Sequence, residues 1–400
     1  MVADDAAKVM RHHEIPNPAA FYRSMRERTR SIFDIVAPEA YYDRPIKLRN
    51  PIVFYEGHLP AFAVNTLLKL TMHRRGVDEH YETLFARGID PEDEASAKSP
   101  TDLWPSRAEV QAYGAAADAL VESALRELPD HEATFTILEH ELMHQETLLY
   151  MIHELPYERK RRTGFSPSIS AGRAEARPTF VTIPAGTARL GQTPPCFGWD
   201  NELPAHSVHV PEFSIDAFNV TNGDYLEYLE ATSANAPHFW ARENDQWLRR
   251  GMFELAPLPL DAPVYVTHEE ATAYARWKGS RLPTEAEFDR AAYGAAQTHE
   301  GNFDFAQWDP VAVGSYAPNG FGIYDLIGNG WEWTSSLFAP FDGFQIMPSY
   351  PQYSADFFDE AHYVMKGASP VTARALVRRS FRNWFRPAYP YVYATFRCAR

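Results

Sequence analysis

Cysteine is nearly missing from this chain: two residues, Cys196 and Cys398, in 400. That excludes a disulfide scaffold and a cysteine zinc cluster, and it makes a reducing cytoplasm the expected compartment. Long apolar runs are also missing. No stretch approaches the roughly 20 apolar residues of a membrane span, and the opening MVADDAAKVMRHHEIP has no signal-peptide apolar region. Positive charge is scarce, with a formal net charge of −15. A general nucleic-acid surface or anionic-membrane surface is therefore not expected. Internal repeats and low-complexity blocks are absent. What is present is a 45% apolar composition, enough for a core, together with 14% aromatics and 31 prolines. The last two point to a loop-rich, aromatic-rich part.

The chain changes character near residue 165. Before it, four segments carry apolar residues at helical spacing: 18–36, 60–75, 105–128 and 133–155. They predict a helical bundle, with the long links 37–59 and 76–104 wrapping it or serving function. The stretch 157–178 turns basic, then rich in Ser, Gly and Ala, and reads as a linker. Beyond it, strand alternation appears at 180–191 and 206–218, and Trp, Tyr, Pro and Gly crowd the remainder. The expected division is 1–165 helical, 166–178 linker and 179–400 a second domain.

One helix carries LEHELMHQETLLYM, residues 138–151. Successive helical residues turn by about 100°, so His140 and His144 lie about 40° apart and can reach one ion. Glu146 lies about 200° beyond His144, which makes it a poor third ligand; a supporting role suits it better. His153 is turned away as well. The third ligand is expected from another segment, and His58, in NPIVFYEGHLPAF at the start of the second helix, is the best donor because Gly57 permits close backbone approach. Two histidines from one helix and one from another give a three-histidine metal site with open positions. HELMH also satisfies the HExxH pattern, so zinc hydrolysis with Glu141 as general base stands beside this reading.

HELMHQE resembles the HxxxHxE signature of the DinB-like half of the ergothioneine-type sulfoxide synthases, and DRPIKLRNPIVFYEGH resembles their first-histidine segment. The second half resembles the formylglycine-generating-enzyme (sulfatase-modifying-factor) domain. Its landmarks appear in family order: VTIPAGTARLG, FNVTNGDYLEYLE, SRLPTEAEFDRAAYG, FGIYDLIGNGWEWTSS, VMKGAS and SFRNWFRPAYPYVYATFRCAR. The resemblance implies an α+β protein, a DinB-like four-helix bundle followed by a C-type-lectin-like domain with little regular structure. Formylglycine-generating enzymes proper use a cysteine pair near the end of this domain. Here Cys398 stands alone, which leaves the histidine site as the reactive centre.

The resemblance further implies Fe(2+) held by His58, His140 and His144, and an enzyme that uses O2 to join a thiol, cysteine or γ-glutamylcysteine, to the imidazole of hercynine. A selenosugar donor giving selenoneine and a histidine–cysteine sulfoxide synthase are variants of the same chemistry. A non-catalytic metal- or ligand-binding protein is the reading from another class. The proton donor implied is Tyr350 or Tyr353, in MPSYPQYSADFF. Asn383 and Trp384 match positions holding the amino-acid end of hercynine, Trp384 facing its trimethylammonium group. Arg87, Arg382 and Arg386 are candidates for the thiol's carboxylate, or for structural ion pairs. Two positions depart from family members: Met143 where several carry Gln, and Phe385 where mycobacterial-type enzymes carry Asp. Trp331 and Trp333 read as core.

Overall fold

The computed structural model describes residues 10–86, 104–163, 180–297 and 300–400. Arg87 and the expected linker 166–178 lie outside the described residues. The chain divides into two compact units. The first comprises Met1–Ser166 with two short later pieces, Pro194–Phe197 and Pro348–Tyr350; the second holds the rest.

The first unit is a helical bundle. Helix α1 (Pro18–Phe33) begins where Asn17 caps the backbone N–H of Ala20 and Pro18 takes the first helical position, where its missing N–H is not needed. Helix α2 (Ile52–Ala63) continues into a π-helical run, Val64–Thr71. A short α3 (Glu79–Leu84) follows, then α4 (Arg107–Glu127), opened by a Ser106/Glu109 capping box, and α5 (Glu132–His153). Helix α1 packs on α4 and α5, and α2 on α4 and α5. All twelve residues of α2 are buried, as expected of a helix apolar on every side.

The sequence places the start of this helix at Pro60, but the structure starts it after Pro51. Both prolines look like helix openers. Pro60 instead sits inside the helix, where it removes one backbone hydrogen bond. His58 is consequently an interior residue of α2 rather than its opening one.

In the second unit, α6 (Asn222–Thr232), α7 (His268–Trp277) and α8 (Glu285–Tyr293) each open with a capping box: Thr221/Asp224, Thr267/Glu270 and Thr284/Glu287. Small sheets surround them. Strand β1 (Phe180–Ile183) pairs with β4 (Phe213–Asp216), and β2 (Gly186–Leu190) with β3 (His206–Val210). Strands β5 (Trp240–Glu243), β6 (Gln246–Arg250) and β7 (Leu255–Pro257) form an antiparallel sheet. The largest sheet has the order β10-β9-β8-β11, from β8 (Gly330–Leu337), β9 (Tyr363–Ala368), β10 (Asn383–Phe385) and β11 (Ala394–Thr395). Only its β8–β11 pairing is parallel. Helix α8 packs on β2, β3, β8 and β9, and Phe288 joins Ile183, Val210, Ile215 and Ile323 in the core.

The GNGWEW turn enters β8 with positive φ at Gly328 (95°), Asn329 (68°) and Gly330 (154°). A Cβ on Gly328 would meet the Asn302 carbonyl oxygen at 2.6 Å, so only glycine fits. Trp331 and Trp333 are core residues, and the Trp333 indole N–H donates to the Val266 carbonyl at 2.9 Å. No described helix is long and apolar enough to cross a membrane.

Candidate metal centre

His58 from α2 and His140 and His144 from α5 come together in the first unit. One nitrogen from each lies within 4.8 Å of the others, a set that could hold a metal ion. The ring centroids are 5.1 Å (His58–His140), 5.2 Å (His58–His144) and 4.5 Å (His140–His144) apart. The i,i+4 spacing puts the α5 pair on one face, and the α2–α5 packing delivers the third ring.

The protonation pattern suits metal ligation. His58 Nδ1 lies 2.9 Å from the Phe85 carbonyl. A carbonyl can only accept, so Nδ1 carries the hydrogen and Nε2 the lone pair, the usual outer hydrogen bond of a ligating histidine. The Phe85 ring packs against α2 at Gly57, where any Cβ would lie 2.5 Å from that ring. Burial, then the neighbouring His58 and Arg49, hold His144 well below the usual imidazole range, so it stays neutral. Its Nδ1 is buried without a hydrogen-bond partner among the described residues. Neutral imidazoles of this kind suit iron, zinc, copper or nickel.

The carboxylates of the motif are placed elsewhere. Glu141 is buried, and its Oε1 accepts from Thr29 Oγ1 at 2.6 Å and Arg26 Nη1 at 3.1 Å, both on α1. A carboxylate committed to α1 does not serve as a general base at the histidines, so the HExxH hydrolase reading loses its base. Glu146 is buried and is not a member of the metal-binding group.

Aromatic rings wall the cluster. Phe62 stacks on His140 with centroids 3.6 Å apart and planes 12° from parallel. Phe54 stacks on His58 at 5.0 Å, and Tyr55 lies 5.7 Å from His144. Tyr350 stands edge-on to both Phe62 (4.9 Å) and His140 (5.9 Å). Phe54, Tyr55 and Phe62 escaped the sequence reading. Their signal was there, since three aromatics within four residues of a candidate ligand, on a helix buried all round, are candidates to line its site.

Residues 22–164 match the model of the DinB superfamily, and residues 167–400 that of the sulfatase-modifying factor enzyme 1-like domain. The hercynine oxygenase of Mycolicibacterium thermoresistibile is 31% identical, over 96% of this chain and 95% of that protein. The chain belongs to the ergothioneine-type sulfoxide synthase family. Ergothioneine biosynthesis protein 1 of Neurospora crassa is 28% identical over 90% of this chain, and its Schizosaccharomyces pombe counterpart 29% identical over 88%. The chain spans about half the length of these two fungal relatives, 55% and 52%.

The other residues singled out by resemblance to this family fall as follows. Tyr350 belongs to the compact unit that holds the histidines; Tyr353 belongs to the other. There Tyr353 stacks on Trp199 at 3.9 Å and meets Trp384 edge-on at 5.3 Å. Asn383 and Trp384 lie on β10, and Trp384 also stacks on Phe338 at 4.1 Å. The Asn383 side-chain oxygen accepts from the Trp384 N–H at 2.9 Å. Arg382 is buried and donates to Glu285 at 3.0 Å and to the carbonyls of Asn201 (3.1 Å) and Ala339 (3.0 Å), the arrangement of a structural ion pair. Arg386 is exposed and lies 3.2 Å from Asp359. Phe385 stacks on Tyr389 at 4.9 Å. Burial and the adjacent Asp216 push the Cys398 thiol far up, so it is not a reactive thiolate.

Proposed function

We propose that this chain is an O2- and Fe(II)-dependent sulfoxide synthase of ergothioneine biosynthesis, forming a carbon–sulfur bond between a thiol and the imidazole of hercynine. The reaction balances as thiol plus imidazole C–H plus O2 giving the aryl sulfoxide and water. The C–S bond forms at the expense of S–H and C–H, and sulfur takes one oxygen atom. The observation that carries the reading is a three-histidine cluster in a chain whose relatives include hercynine oxygenases.

His58, His140 and His144 would hold the metal, leaving its remaining positions to substrates. When bound, ferrous iron supplies the means of bringing O2 to reaction with the thiol. The Phe85 carbonyl keeps the His58 lone pair on Nε2. Phe62, Phe54 and Tyr55 keep water from the cluster and limit side reactions. Tyr350 Oη is the proposed proton source. Asn383 and Trp384 are assigned to the amino-acid end and trimethylammonium group of hercynine. Arg386, whose guanidinium is exposed, is a stronger candidate for the thiol's carboxylate than Arg382, which is already committed to Glu285.

The test is oxygen uptake by the Fe(II)-loaded protein with hercynine or histidine, offered with cysteine, γ-glutamylcysteine or a selenosugar. Uptake with a product carrying both substrates is expected with hercynine and one of the thiols. Selenosugar as the sole productive donor would redirect the reading to selenoneine, and histidine as the sole acceptor to a histidine–cysteine sulfoxide synthase. No uptake with any pair would overturn the synthase reading, and a non-catalytic binding protein would replace it.

A further inference from the structure

We propose that Ser349 is a positioning residue that clamps Tyr350 against the ring of His140, acting through Glu132 and Thr136 on the first turns of α5. The inference rests on the reading of Tyr350 as proton source.

Residues 348–350 lie almost two hundred positions beyond the end of α5, yet they belong to the same compact unit as the bundle. Ser349 is the hook. It is buried, its hydroxyl donates to Glu132 Oε1 at 2.7 Å, and its backbone N–H points to the same oxygen at 3.4 Å. The Thr136 hydroxyl lies 2.9 Å from Ser349 Oγ and 3.0 Å from the Glu132 carbonyl, so its one hydrogen is shared between these acceptors. Glu132, Thr136, His140 and His144 follow one another at i,i+4 spacing along α5, which makes each the neighbour of the next on the helix surface. Fastening Ser349 to the first two members of this row sets the following residue over the third. There the Tyr350 ring meets His140 at 5.9 Å and Phe62 at 4.9 Å.

The local sequence stiffens the hook. Pro348 has a fixed φ, and Tyr350 precedes Pro351, which disfavours the helical conformation for it. The Ser349–Tyr350 dipeptide therefore has few backbone alternatives, and two side-chain contacts suffice to fix where the phenol points. Catalytic groups need this precision, since a misplacement near 1 Å can cost about 100-fold in rate.

The test pairs kinetics with a direct view of the ring. 3-Fluorotyrosine is placed at position 350, and its ¹⁹F spectrum is recorded in the metal-free chain with and without Ser349→Ala. Release of the clamp is expected to shift or broaden the resonance. In the iron-loaded enzyme, Ser349→Ala is expected to lower kcat for the C–S product by about tenfold or more, with iron stoichiometry and the KM for hercynine unchanged. Ser349→Thr, which keeps the hydroxyl, should restore most of the rate. Glu132→Ala, at the half-buried first position of the helix, removes the acceptor instead and should reproduce the Ser349→Ala spectrum. An unchanged ¹⁹F resonance in both Ser349→Ala and Glu132→Ala would overturn the clamp. A changed resonance with full product formation would show that Tyr350 is held by Ser349 but is not the proton source, which defeats the reading beneath the proposal instead.

Discussion

A three-imidazole set differs from a chance histidine cluster in what surrounds each ring. His58 has its tautomer fixed by a carbonyl that it did not choose: the Phe85 oxygen is delivered by a ring that fits only because residue 57 is glycine. His140 is held flat by Phe62, and His144 is kept neutral by burial. Each ring is thus prepared before any metal arrives. Replacing His58, His140 or His144 by Ala is expected to abolish stoichiometric iron binding, measured by metal analysis on folded protein. Glu146→Gln should keep it, because helical phase and the observed grouping both exclude Glu146. Iron lost from folded Glu146→Gln would mean that the third helix residue does contribute a ligand. This part of the site was legible in sequence because a ligand pair at i,i+4 is a local signal, and the partner segment was singled out by its own glycine–histidine pair. The role of Tyr350 against His140 was less legible. It depends on a tether between segments more than two hundred residues apart, and no local periodicity records that.

Among the elements, the start of α8 is written locally in RLPTEAEFDRAA. Thr284 and Glu287 mark the start of α8 in the sequence, and the structure starts the helix there. The π-helical run after α2 was not readable, because its residues carry the same apolar pattern as an α-helix. A less obvious element is α7, whose first residue, His268, follows the Thr267 cap and is buried. Its ring stacks on Tyr363 at 3.8 Å, and Nε2–H donates to the Thr334 carbonyl at 3.1 Å. Burial lowers its pKa from 6.5 to about 4. The start of a helix also disfavours a cation. Because the folded pKa lies below the unfolded one, the contribution of His268 to stability is fully present above pH 6.5. It is lost as the pH falls toward 4, where the unfolded chain gains a proton that the folded chain refuses. Two and a half units correspond to about 3 kcal/mol. His268→Gln keeps a donor for Thr334 but cannot titrate. Its stability difference from the wild type, measured by denaturant unfolding at pH 7 and at pH 4.5, should shift by about 2–3 kcal/mol toward the variant at the lower pH. A pH-independent difference would mean that the imidazole is protonated in place.

For the molecule as a whole, the second unit is closed by the last stretch of the chain. Thr395 pairs with Glu332 on β8, the Phe396 carbonyl accepts from Val220, the Cys398 carbonyl from Asp216, and Ala399 bonds Arg281 in both directions. Arg397 sits at the centre of this closure, fully buried. Its Nε and Nη2 each lie 2.7 Å from a Glu332 oxygen, and its remaining hydrogens go to the carbonyls of Asp216, Ala217 and Tyr324. A small-sheet fold with little regular structure has few backbone ladders to hold its loops, and one five-donor guanidinium ties two of them, at Asp216–Ala217 and at Tyr324, to Glu332 on the largest sheet. The arrangement is costly to break from one side. Arg397→Met should destabilise the fold by about 3–5 kcal/mol, because Glu332 is left charged, buried and unpaired. Adding Glu332→Leu removes that charge and should recover part of the loss, though not the part owed to the three carbonyls, which stay without their donor. Unfolding midpoints of the two single variants and the double variant separate these contributions. A double variant less stable than Arg397→Met alone would show that the carboxylate is satisfied without the guanidinium, and that the three carbonyl bonds are what Arg397 supplies.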